Sequence, residues 1–284
     1  AIQLSGTEIN PETYAICKSD LIIKGVDPSG IHWGNTITEN SFSDKSFGYM
    51  ITNPPYGKSW KEDKKKIYHE KMLLDHRFEL TLTNYVGEEE VLDSTPRTSD
   101  GQLLFLLEEV DKMKPLEFQP QGSRIASIHN GSSLFTGDAG SGESNIRRYL
   151  IEKDLVEAII QLPNNIFYNT GISTYVWMLT NKKKDNRKGK VQLIDASQAF
   201  EKLRKNQGSR NCTIEPYRTD ILRVYTDFVE QEANEELKVG SKIFDDDDFR
   251  YYNVTIERPL RLRCQFNSLK IDEMLYDSSD IEVS

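Results

Sequence analysis

Short apolar runs alternate with helix-like stretches through the first half of the chain, and this alternation limits the fold more than any other feature. Residues 2–8, Ile-Gln-Leu-Ser-Gly-Thr-Glu, read as a strand ending in a carboxylate. Asn10-Pro11-Glu12 then opens a helix, with Asn as cap and Pro at the first helical position. Its Ala15, Ile16, Leu21 and Ile22 are expected on a buried stripe, and Gly25 marks its end. Residues 30–34 form a second strand, and residues 47–52 form a third that runs into Asn53-Pro54-Pro55-Tyr56. The polar stretch 57–98 is too long for a simple connection and predicts an inserted helical or loop excursion. A leucine-rich helix follows from the Ser99-Asp100 cap to Met113, and another covers 145–151. Strands are expected at 124–129, 155–162, 173–180 and 190–195. Such a pattern predicts an α/β fold. Beyond residue 197 the chain turns acidic and helix-like, which sets the expected boundary between domains 1–197 and 198–284.

The 284 residues carry 12 Phe and 13 Tyr, enough for a packed core. No apolar run approaches the roughly 18–20 residues that cross a bilayer, so no membrane association is expected. Ala1-Ile2-Gln3-Leu4 lacks the basic and apolar regions of a signal peptide, and the missing starting Met suggests an excised piece. Cys17, Cys212 and Cys264 are scattered, and neither they nor the four histidines show metal-site spacing. This fits reduced thiols in a cytoplasmic protein without a metal centre. A net charge of −9 argues against a chain that wraps DNA unaided, because phosphate contacts need clustered Lys and Arg. A DNA enzyme of this charge needs a local basic patch or a basic partner.

Asn53-Pro54-Pro55-Tyr56 lies where ligands of open α/β sheets bind, beyond the carboxyl end of a strand. Its two prolines stiffen the loop and donate no hydrogen bonds. The Asn53 side-chain oxygen and the Pro54 carbonyl can therefore accept bonds from an exocyclic amino group, while Tyr56 offers a flat face for stacking. Together these groups suit an amino-bearing base taken out of its duplex. The plainer alternative is a proline turn with an Asn cap.

Longer blocks carry a resemblance. Gly6-Thr7-Glu8-Ile9-Asn10-Pro11-Glu12-Thr13-Tyr14-Ala15, Gly34-Asn35-Thr36, Ser99-Asp100-Gly101, residues 130–144, Leu162-Pro163 through Tyr175-Val176-Trp177, and Glu257-Arg258-Pro259-Leu260-Arg261 all resemble methyltransferase (M) subunits of type I restriction-modification systems. The resemblance implies a Rossmann-like S-adenosylmethionine-dependent methyltransferase fold, a mixed sheet with helices on both faces. It also implies that the family's first strand and Gly-rich loop should precede the Glu8 strand and are missing here. The implied activity is adenine-N6 methylation of double-stranded DNA, with S-adenosylmethionine as donor and with specificity and restriction subunits as partners.

Carried over residue by residue, Glu8 holds the donor ribose, Asn35 and Thr36 approach its adenine, and Asn53, Pro54, Pro55 and Tyr56 hold the target base. Phe167 or Tyr168 would supply the opposite stacking face, or else belong to the core. Residues 137–142 lack the Lys-Ser/Thr ending of a triphosphate loop and are read as a mobile loop near the site. Lys58, Lys61 and Lys64–Lys66 either meet DNA phosphates or line a solvated helix. The competing reading of the whole chain is a catalytically inactive methyltransferase-fold module that docks on a specificity subunit. A free-standing methylase of RNA or protein Gln shares the loop logic but not the longer blocks.

Overall fold

In this computed structural model the chain is described at residues 3–70, 72–84, 86–168, 170–251, 254–257, 267–268 and 271. It divides into two units, 1–251 and 252–284. Of the second, too few residues are described to give an architecture; Cys264 and residues 258–261 lie outside the described residues.

The first unit starts with β1 (Gly6–Glu8), α1 (Pro11–Ile23) and β2 (Ile31–Trp33), followed by β3 (Tyr49–Thr52). Asn10 caps α1 as expected, accepting from the Glu12 and Thr13 amides at 2.9 and 3.0 Å. The expected buried stripe is not there. No α1 residue is buried, and Ile16 is 68% exposed. The reason lies in the sheet: β1 and β2 pair in parallel as a two-stranded patch, too small to cover a helix face.

Among the described residues the 57–98 excursion contains a short α-helix, α2 (Lys61–Ile67), a 3-10 turn at His76–Phe78, and two hairpins, β4 (Tyr68–His69) with β5 (Met72–Leu73) and β6 (Leu80–Thr83) with β7 (Glu89–Leu92). It is no loose appendage. Trp60, Ile67, Phe78, Leu80, Leu82 and Leu92 are all buried in one core with the leucines of α3 (Gln102–Asp111). Gly101, just before α3, sits under Trp60: a Cβ there would stand 3.1 Å from the indole.

Next come β8 (Arg124–Asn130), α4 (Ser132–Phe135), α5 (Gly142–Glu152), β9 (Val156–Leu162), β10 (Thr174–Thr180) and β11 (Lys190–Asp195). The expected strands and helices here hold to within a few residues. Among the described residues after 197 the chain is not mainly helical. A hairpin of β12 (Glu201–Gln207) and β13 (Arg210–Thr213) leads to α6 (Arg218–Asp227) and then to β14 (Gly240–Asp245). β14 pairs antiparallel with β11 along its whole length, so the expected boundary at 197 cuts through one sheet.

That sheet has six strands in the order β14-β11-β9-β10-β8-β3. β3 runs parallel to β8, and β9 parallel to β11, while β10 is antiparallel to both of its neighbours. The mixed sheet with helices on both faces is thus present. Side chains alternate between the faces: Ile125, Val156 and Trp177 pack with α3 and α5, whereas Ile160, Leu162 and Ile194 pack with α6 through Ile221 and Val224. A polar tie fastens α6 as well, with Tyr225 Oη and Arg124 Nη1 each donating to Glu157 Oε2 at 2.6 Å. β3 is the sheet's edge, and its Tyr49 and Ile51 are 75% and 83% exposed.

Candidate active site

The topology gathers the ends of parallel strands on one side of the sheet. β3 ends at Thr52 and β8 at Asn130, and the antiparallel register sets Thr174 opposite both Asn130 and Leu162. The loops after β3, β8 and β9 therefore leave from the same edge, the binding edge of an open α/β sheet.

Asn53-Pro54-Pro55-Tyr56 follows β3 directly. Asn53 is exposed, Pro54 is buried, Pro55 is exposed and Tyr56 is half-buried. The Tyr56 hydroxyl donates to Asn53 Oδ1. Burial pushes the phenol up to about 12, which keeps it protonated and able to donate. Asn53 Oδ1, an acceptor available to an incoming amino group, is thus capped by the loop's own tyrosine.

Glu8 ends β1, half-buried, with Oε1 accepting from the Asn10 amide at 2.7 Å. Register pairs Glu8 with Trp33, a residue that is 64% exposed and whose Nε1 donates to the Ile9 carbonyl at 3.1 Å. Sequence reasoning passed over Trp33; an exposed Trp one residue before Gly34-Asn35 is the signal that marks it. Asn35 is engaged internally, accepting from the Ile37 amide at 3.0 Å and donating to Asp63 at 2.8 Å. The Thr36 carbonyl accepts from buried Arg77 at 2.8 Å. This segment is thereby held rigidly beside the β1–β2 pair.

Phe167 follows β9 and is half-buried against the cluster on the α6 face. Tyr168 next to it is 58% exposed, with the Arg210 guanidinium stacked on its ring. Among the lysines after the loop, Lys64 lies over the rings of Trp60 and Tyr68, and Lys65 pairs with Glu62 at 2.8 Å. The glycine-rich loop is tied down at its end: a Cβ on Gly142 would stand 1.9 Å from the Thr95 carbonyl oxygen. Asn145 Nδ2 also donates to the carbonyls of Asp93 and Gly140.

The architecture is that of a methyltransferase, as comparison with known proteins bears out. The type I restriction-modification methyltransferase subunit from Streptococcus thermophilus superposes with a TM-score of 0.65 at 25% identity, over 87% of this chain and 45% of that one. Residues 1–261 match the family described as N-6 DNA Methylase, and the chain belongs to that family. It is 27% identical over 207 residues to the methylase subunit of the type I restriction enzyme MjaIX of Methanocaldococcus jannaschii, covering 72% of this chain and 33% of the relative. It is 28% identical over 211 residues to that of MpnII of Mycoplasma pneumoniae, covering 71% and 34%. The chain thus spans about a third of the length of these relatives.

Proposed function

We propose that this chain carries the target-base site and part of the donor site of an adenine-N6 DNA methyltransferase within a type I restriction-modification system. Its partners on this reading are double-stranded DNA, a specificity subunit that reads the sequence, and a restriction subunit. The observation that carries the reading is the Asn53-Pro54-Pro55-Tyr56 loop at the end of β3, with Asn53 exposed and its acceptor oxygen bonded to the Tyr56 hydroxyl.

The residues present suit the nucleoside part of S-adenosylmethionine. Glu8 Oε1 takes the Asn10 amide, and the rest of the carboxylate remains to accept from a ribose cis-diol. Trp33, an exposed residue, offers its ring beside it for an adenine, while Asn35 and Thr36 shape that side of the site. When bound, the donor supplies a sulfonium methyl, the electrophile of a direct transfer.

In the reaction the target adenine is flipped out and stacks on Tyr56, with Phe167 or Tyr168 on the far side. Its amino group displaces the Tyr56 hydroxyl from Asn53 Oδ1 and also donates to the Pro54 carbonyl. Two accepted hydrogen bonds keep the nitrogen lone pair out of conjugation with the ring and directed at the methyl. Catalysis here is positioning rather than prior proton abstraction. The N–C bond would form as the donor's S–C bond breaks with its electron pair left on sulfur, and the methylated amino group would then lose one proton to water. Lys58, Lys61 and Lys66, exposed just after the loop, meet the phosphates that flank the flipped base.

The competing reading, a docking module without catalysis, draws on one observation: β1, with Glu8, and β3, with the base loop, belong to separate sheets. A methyl-transfer assay on the complete methylase decides between them. Labelled methyl groups appearing in DNA adenine support the enzyme, and specificity-subunit binding without transfer supports the module.

A further inference from the structure

The base loop has a mechanical difficulty. Pro54 and Pro55 have no amide hydrogens, so no backbone donor in its middle fastens the loop, and its flanks matter the more. Both flanks are held, by one continuous network whose centre is buried.

At the leading flank, Thr52 Oγ1 lies 2.7 Å from Ser127 Oγ. Ser127 Oγ lies 3.0 Å from His129 Nε2, and His129 Nδ1 lies 3.0 Å from Gln102 Oε1. Gln102 Nε2, with two hydrogens to give, lies 2.7 Å from Asp100 Oδ2, 2.8 Å from Asn130 Oδ1 and 2.8 Å from Ser132 Oγ. At the trailing flank the Gly57 amide donates to the other oxygen, Asp100 Oδ1, at 3.3 Å. Gly57 has φ +61°, a left-handed conformation that suits glycine and turns its N–H back towards Asp100.

The directions of the bonds follow from Asp100. A carboxylate only accepts, so the Gln102 amide must present its nitrogen to Asp100 and its oxygen to His129. His129 then carries its proton on Nδ1 and accepts at Nε2, which makes Ser127 donate to His129 and Thr52 donate to Ser127. Burial depresses His129 to about 3, so the imidazole stays neutral at physiological pH. Gln102, Ser127 and His129 are all buried, and an unsatisfied polar group there would be costly.

We propose that Gln102, His129, Ser127 and Thr52 are positioning residues for the target-base loop, forming with Asp100 a one-directional hydrogen-bonded brace that clamps it at Thr52 and at Gly57. This rests on the reading of that loop as the target-base site. The brace sets where Asn53 Oδ1 and the Pro54 carbonyl stand, and in a reaction driven by positioning a displacement of about 1 Å costs on the order of 100-fold in rate.

Thr52→Val removes the hydroxyl at nearly constant shape, and Thr52→Ser keeps it. In the complete methylase, with labelled S-adenosylmethionine and DNA bearing its recognition site, Thr52→Val should slow single-turnover transfer about 10-fold or more. Donor and DNA dissociation constants should stay within about twofold, because the Thr52 hydroxyl is engaged with Ser127 inside the brace. Thr52→Ser should recover most of the rate. Gln102→Leu, which cuts the brace at its branch point, should show the same pattern. Wild-type transfer rates in Thr52→Val, equal slowness of Thr52→Ser, or a rate loss matched by lost donor or DNA binding would each overturn the brace. A wild-type methylase that transfers nothing contradicts the target-base reading instead, and this control is run before the variants.

Discussion

Tyr56 caps Asn53: its hydroxyl donates to the one side-chain oxygen that an incoming amino group would need. The loop is satisfied without substrate, and the base must displace the tyrosine as it enters. Tyr56→Phe removes the cap but keeps the ring, so methyl transfer should stay within a few-fold of wild type. Tyr56→Ala also removes the stacking face, and at about 1–3 kcal/mol per stacked base it should cost roughly 5- to 150-fold. Single-turnover rates of the two variants check this; equal losses would show that the hydroxyl, not the ring, matters.

The Glu8 carboxylate accepts from the Asn10 amide at 2.7 Å and is proposed to accept from the donor ribose too. Hydrogen bonds to a charged group contribute about 1.5–3 kcal/mol. Glu8→Ala should therefore weaken S-adenosylmethionine binding roughly 10- to 100-fold in a calorimetric titration, with DNA affinity unchanged. Trp33→Ala should weaken the same binding and likewise spare DNA.

Two buried groups give stability a pH dependence. Burial raises the Glu109 carboxyl from 4.5 to about 7; the Thr52 and Ser127 hydroxyls oppose the shift and Glu108 adds to it. Those hydroxyls lie close, yet neither carboxyl oxygen has a hydrogen-bond partner of ordinary geometry. The folded protein holds this proton more tightly than the unfolded chain, so stability falls as pH rises from about 4.5 to about 7 and is level above. His129 has the opposite sign: burial lowers it from 6.5 to about 3 against the pull of Asp100, so its contribution is full above about 6.5 and is lost as pH falls towards 3. Glu109→Gln removes the first slope alone. Its unfolding free energy relative to wild type should rise by roughly 3 kcal/mol between pH 4.5 and pH 8, at 1.36 kcal/mol per pKa unit. Denaturant titrations at the two pH values measure the difference, and a constant offset would show that Glu109 does not titrate in this range.

The central strands were legible because each is a compact apolar run bounded by turns. β8 and β11 begin at the expected residues, Arg124 and Lys190. The loop after β3 was legible for the same reason, since Met50 and Ile51 lead straight into Asn53. β14 was hidden because Gly240-Ser241-Lys242 carries little apolar signal; it becomes a strand through pairing with β11, about fifty residues away in sequence. The hairpins of 57–98 were hidden by their brevity, since a strand such as Tyr68–His69 has no period to detect. The exposed face of α1 could not be foreseen, because Ile16 and Ile22 report what a helix can bury and not what lies beside it. The Gln102–His129 brace joins residues 27 apart across a helix and a strand, and only the packed structure brings them together.

The most direct test of the target-base reading is transfer of labelled methyl groups from S-adenosylmethionine into DNA by the complete methylase, with wild-type Asn53 and with Asn53→Ala. The wild type should yield N6-methyladenine as its sole modified nucleoside. Asn53→Ala should lose about 100- to 1000-fold in rate, the scale seen when one preorganised hydrogen-bonding group is removed from an active site. A wild-type product other than N6-methyladenine, or an Asn53→Ala rate equal to wild type, would contradict the account.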